Sequence, residues 1–191
     1  MATPANSAPA HTTPARVLPG QGEVHRHVLV VLVLNRPGVL NRVASLMRAR
    51  DFNIETLAVS HTDSPEVSRM TITLRGDDGT VEQAAKQIYR LIDVLKVQDV
   101  TAEPTLEHEI ALIKVRADER IRGEVLSVLA PYRAWVVDLA AKSLIVEACG
   151  SEGEIDALIT LLRGFGVSEL VRSGVVVMSR GAGSIEQEVK L

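Results

Sequence analysis

The chain is 191 residues long with 46% apolar and 24% charged residues, inside the range of folded globular proteins, so disorder throughout is excluded. Its 21 Lys and Arg stand against 24 Asp and Glu, a net charge of −3 that lacks the basic footprint of a nucleic-acid or anionic-membrane binder. A single cysteine, Cys149, rules out an intrachain disulfide and every multi-cysteine metal site, and the sequence holds no membrane-spanning apolar run, which points to a soluble, reducing, cytoplasmic setting.

Residues 1–25 place Pro4, Pro9, Pro14 and Pro19 among Ala, Thr and Ser, which predicts a disordered tail. Only Arg16 precedes the first acid, Glu23, so a basic targeting helix fits that tail poorly. The run VLVVLVL over 28–34 predicts a strand buried on both faces. From Pro37 the spacing of Val39, Leu40, Val43, Ala44, Leu46 and Met47 predicts an amphipathic helix. Residues 54–60 and 67–74 read as strands of a hairpin joined by HTDSPE. Thr80 with Gln83 reads as a capping box opening a helical stripe that runs to Lys96, and 97–101 supplies a fourth strand.

A second set follows Pro104. It comprises a strand at 110–115, a helix begun by Asp118 and ended by Pro131, strands at 135–139 and 144–148, a helix capped by Ser151 and Glu154, and a closing strand at 175–178. The order is β-α-β-β-α-β twice, an α+β fold of two ferredoxin-like domains in tandem, over 26–103 and 107–181, with a flexible tail at 182–191. Domains this small bury little surface alone, so dimerisation is favoured.

Catalytic machinery has no starting motif: the sequence contains no GxSxG elbow, phosphate loop or GxGxxG turn. His25 and His27 stand on one strand edge but lack a neighbouring acid or thiol cluster in sequence, so no metal site is expected. Cys149 has no adjacent Lys, Arg or His and reads as a packed, inert thiol. The informative segment is Asn35-Arg36-Pro37-Gly38-Val39-Leu40. A helix start offers unpaired N–H groups and the positive end of the helix dipole, Gly38 lets a ligand approach the backbone, and Asn35 and Asn53 each supply a carboxamide donor and acceptor. That set suits a zwitterionic amino acid. It equally suits plain structure, with Asn35 as a cap, Pro-Gly as a turn and Asn53 in a left-handed bend.

Three separated stretches, NRPGVLNRVASLMRARDFNIETLAV, SRMTI and RSGVVVMSRG, resemble the small regulatory subunits of acetolactate synthase, also called acetohydroxyacid synthase, over about residues 26–181. The resemblance implies that the first half is an ACT domain, the amino-acid-sensing version of the ferredoxin-like unit. It implies effector binding by Asn35, Gly38, Val39, Leu40, Asn53 and Ile54, where a branched-chain amino acid, usually valine, sits between two ACT domains of a homodimer. It implies no catalytic residues and no cofactor in this chain. Thiamine diphosphate, Mg²⁺ and FAD are expected on a catalytic large subunit that this chain activates and makes sensitive to feedback. The competing expectation is a stand-alone amino-acid-sensing ACT regulator. Preference among valine, leucine and isoleucine stays open.

Overall fold

The computed structural model describes residues 22–186, so the tail expectations for 1–21 and 187–191 lie outside the described residues. The chain runs β1 (His25–Leu34), α1 (Val39–Ala49), β2 (Ile54–His61), β3 (Val67–Gly76), α2 (Asp78–Tyr89) and β4 (Val94–Asp99). It continues through β5 (Thr105–Arg116), α3 (Arg122–Leu129), β6 (Ala134–Ala140), β7 (Ser143–Gly150), α4 (Glu152–Arg163), β8 (Val167–Arg172) and β9 (Val176–Ser179). The first four strands form a sheet in the order β2-β3-β1-β4, and the second sheet has the order β6-β7-β5-β8, with β9 joined to β5. Each β-α-β-β-α-β unit is thus the expected ferredoxin-like arrangement, an antiparallel sheet with two helices packed on one face.

The strand β1 is the centre of the first unit. Val28 to Val33 are all at most 1% exposed, as the unbroken apolar run predicts. Alternation sends Leu29, Val31 and Val33 to the helix side, where Val43 and Met47 of α1 and Val81, Ala84 and Ile88 of α2 cover them. The other face, carrying Val28, Val30 and Leu32, is covered by Val67, Val100, Val177 of β9 and Ile185. Burying three such side chains is worth about 5–9 kcal/mol, comparable with a domain's entire net stability, so the second face cannot be left bare.

Several boundaries differ from the sequence reading, each for an identifiable reason. β1 begins at His25, inside the stretch read as tail, because His25 and Arg26 pair with Gly76 and Arg75 of β3. Asp77, and not Thr80, caps α2, its side chain accepting from the Thr80 backbone N–H at 3.0 Å. That helix stops at Tyr89 and does not reach Lys96; Leu91 and Ile92 continue the helical spacing, but they lie in a turn where Ile92 is exposed. Asp118 does not start a helix directly. Its carboxylate accepts from the N–H groups of Arg120 and Ile121, a local turn, and α3 begins at Arg122. The Ser151 and Glu154 capping box is present as read.

The closing strand is also different. The fourth strand of the second sheet is β8, pairing with β5 from Ala111–Arg172 to Val115–Val167, whereas β9 pairs with the opening residues of β5, Thr105 to His108. Residues 182–186 are likewise not a free tail: Ile185 is buried, and Glu186 accepts from Arg69 at 3.0 Å. Arg69 also donates to the Val177 carbonyl at 2.6 Å, so one β3 side chain holds both segments that cover β1.

Val177→Asp places an unpaired charge between β1 and β9 and is expected to lower the unfolding free energy by about 3 kcal/mol or more. Val176→Asp, on the exposed side of the same strand, is expected to cost less than about 1 kcal/mol. Denaturant unfolding of the two variants checks the difference.

Candidate functional site

After β1 the chain turns through exposed Asn35, Arg36 and Pro37 into Gly38, the N-cap of α1. Gly38 has φ +85°, the left-handed region in which a Cβ is penalised, yet a Cβ built there meets nothing within 4 Å. Backbone conformation therefore selects glycine here, and the space in front of it is open. No side chain caps α1, and its first turn holds no acid, so the partial positive charge of its leading amides is uncompensated by the fold.

Asn35 does not cap the helix. Its backbone N–H donates to the Glu66 carbonyl at 2.7 Å and its Nδ2 donates to the Pro65 carbonyl at 2.9 Å, which ties the end of β1 to the β2–β3 connection. That bond uses one of the two N–H donors of the carboxamide and orients the group. Val39 is 4% exposed and packs into the first core, so it offers a ligand its backbone and not its side chain. Leu40 is exposed beside it.

Asn53 and Ile54 lie elsewhere. α1 has 11 residues, which separates its two ends by about 16 Å. Asn53 is exposed at the far end, and Ile54 opens β2 half-buried against the first core. The left-handed residue of that bend is Asp51, with φ 60°, and not Asn53. The register makes the separation explicit: Leu34 pairs with Val67 and Ser68 with His61 at one end of the sheet, while Gly76 pairs with His25 and Leu74 with Ile54 at the other. One chain thus brings Asn35, Gly38, Val39 and Leu40 together and sets Asn53 and Ile54 apart from them.

Two further features were not legible in the sequence. An open cleft of about 970 Å³ runs between the two units, with Asn53, Leu57 and Arg75 on one side and Glu109, Glu152 and Arg172 on the other. Each of two arginines there joins two acids: Arg26 reaches Glu107 at 2.9 Å and Glu152 at 3.0 Å, and Arg172 bonds buried Glu109 and, at 2.7 Å, Asp156. The hydrogen bonds that Arg172 donates to Glu109 hold its guanidinium above its ordinary pKa, so this residue is a fixed cation of the joint. Ser173 is exposed but tied locally, its Oγ accepting from the Ile110 N–H and donating to the Gly174 carbonyl. Second, α2 brings Asp78 beside His25 and His27, a carboxylate more than 50 residues away in sequence.

The two sheets also differ in cover. The outer face of the second sheet carries Ile110, Leu112, Trp135 and Val171 exposed, with Cys149 half-buried on β7. No helix among the described residues is long and apolar enough to cross a membrane.

Comparison with known proteins gives a consistent result. Residues 108–181 match the family model described as small subunit of acetolactate synthase, and residues 29–96 match that of the AHAS small subunit-like ACT domain. A probable acetolactate synthase small subunit of Archaeoglobus fulgidus is 46% identical over 156 residues, covering 82% of this chain and 98% of the relative. The acetolactate synthase small subunit of Mycobacterium leprae is 48% identical over 155 residues, covering 81% and 92%. The crystal structure of the Thermotoga maritima acetolactate synthase small subunit superposes with a TM-score of 0.77 at 37% identity, over 83% of this chain and 99% of that one.

Proposed function

This chain belongs to the family of acetolactate synthase small subunits, and from that membership we propose that it is a regulatory subunit without an active site of its own. In this reading it binds and activates the catalytic large subunit in the cytoplasm and makes it subject to feedback inhibition by a branched-chain amino acid, valine foremost. The thiamine diphosphate, Mg²⁺ and FAD of the reaction belong to that partner. The observation that carries the sensing role is the open, uncapped start of α1 at Gly38.

The leading amides of α1, from Gly38 to Leu40, receive the effector's carboxylate, as an uncompensated helix start does for anions. Asn35, held by Pro65, and Asn53 hydrogen-bond its polar end, while Leu40 and Ile54 meet its aliphatic side chain. A second copy of the chain supplies the missing half. β2 is an edge strand and runs parallel to β1, because both pair antiparallel with β3. Pairing two β2 edges antiparallel about a twofold axis therefore sets Asn53 and Ile54 of one protomer at the end occupied by residues 35–40 of its partner. The homodimer then has two such sites, each made from both chains.

Inhibition requires that valine bind one arrangement of the holoenzyme more tightly than the other, since a ligand shifts an equilibrium only by its differential affinity. Coupling of about 1–3 kcal/mol suffices for a 5- to 150-fold response. The exposed apolar face of the second sheet, with Leu112 and Val171, is the surface offered to the catalytic subunit.

The primary test is acetolactate formation from pyruvate by the cognate catalytic subunit, with and without this chain, across valine, leucine and isoleucine titrations. Stimulation that valine reverses supports both roles; no effect of any kind favours the stand-alone sensor. Gly38→Asp puts a carboxylate where the effector's own should dock, in space the fold leaves open, and is expected to abolish feedback while stimulation persists. Asn53→Ala removes a hydrogen bond to a charged ligand and is expected to weaken valine binding by about tenfold or more in calorimetry. Mixing the two variants tests the shared site. Heterodimers carry one site with both lesions and one with neither, so about a quarter of all sites should regain full affinity, against none if each chain binds alone.

A further inference from the structure

His25 and His27 project from the helix side of β1, at the end remote from Gly38, and meet the first turn of α2 there. Their rings stack with centroids 4.1 Å apart. The Nδ1 of His25 lies 3.1 Å from the Glu23 carbonyl, and the Nδ1 of His27 lies 3.2 Å from Oδ2 of Asp99. A carbonyl and a carboxylate only accept, so Nδ1 is the protonated nitrogen in both rings. In each neutral imidazole this leaves the Nε2 lone pair free.

Both Nε2 atoms face the same oxygen, Oδ1 of Asp78, at 3.4 Å from His25 and 3.7 Å from His27. The side chain of His27 is 2% exposed, and its Nε2 is buried without a hydrogen-bond partner among the described residues. Buried polar atoms are seldom left this way, and a lone pair so placed calls for an electrophile. The two nitrogen-to-oxygen separations are close to the roughly 3.3 Å edge of a tetrahedron with bonds of about 2.0–2.1 Å to Zn²⁺, and the three candidate ligand atoms all lie within 4.8 Å of one another. The Asp99 carboxylate behind His27 and the Glu23 carbonyl behind His25 are the outer partners that orient metal-bound histidines.

We propose that His25, His27 and Asp78 form a binding site for a borderline divalent transition-metal ion, best represented by Zn²⁺. Asp78 is largely exposed, so the fourth position faces solvent. The ion clamps the start of β1 to the start of α2 and, through Asp99, to the end of β4. It is remote from the Gly38 turn in the same chain, and the proposal does not depend on effector binding.

The test uses the full chain freed of any affinity tag, stripped with a chelator and titrated with Zn²⁺ by calorimetry near neutral pH. One ion per chain is expected, with a rise in Tm on saturation. His25→Ala and Asp78→Asn change exposed side chains and leave the buried His27 packed; each is expected to weaken binding by about tenfold or more and to remove the rise in Tm. Absence of stoichiometric Zn²⁺ binding overturns the proposal, and so does binding that either variant retains at full affinity.

Discussion

The structure depends on a strand that must be buried twice. β1 has no polar face from Val28 to Val33, and an antiparallel sheet with helices on one side can satisfy only half of it. The first unit therefore takes its second cover from the far end of the chain, where Val177 and Ile185 lie against Val28, Val30 and Leu32. The polar contacts around this layer follow the same joint: Arg69 holds Val177 and Glu186, and Arg26 crosses to Glu107 and Glu152. The interface between the units is thus a core layer framed by ion pairs, and not a flexible linker.

Cover is distributed unequally, and the proposed roles divide along the same line. The first sheet is closed on both faces, so what it offers a ligand are its ends and its β2 edge, where the Gly38 turn and the Asn53 bend lie about 16 Å apart along α1. The second sheet is closed on one face only and offers area, with Ile110, Leu112, Trp135 and Val171 exposed. An edge and a pair of turns suit a small molecule shared between copies. A broad apolar face suits another protein.

Most of the element order was legible because hydrophobic period and turn chemistry agreed. The run at 28–34, the stripe of α1 and the Ser151–Glu154 box were each read correctly from local residues. β8 escaped because it is an edge strand, half-buried only at Val167 and exposed from Ser168 to Arg172, with no alternation to detect. The end of α2 was overrun because Leu91 and Leu95 keep a helical spacing while belonging to a turn and to β4. The Gly38 turn could be located from Asn-Arg-Pro-Gly alone, but its separation from Asn53 could not, since sequence gives proximity along the chain and not register across a sheet. The meeting of His25 and His27 with Asp78, and of Arg172 with Glu109, depends on strand pairing across more than 50 residues and leaves no local signal.

One further consequence concerns the order in which the protein is made. Chains emerge from the ribosome N-terminus first, and domains generally fold as they emerge. The first unit here is complete in secondary structure once Asp99 has been synthesised, yet one face of its central strand has only Val67 and Val100 beside it until residues 177 and 185 exist. During the intervening synthesis Val28, Val30 and Leu32 are a sticky surface on a nascent chain, open to a chaperone or to a second nascent copy. A segment translated after the whole second unit is thus the one that finishes the first domain.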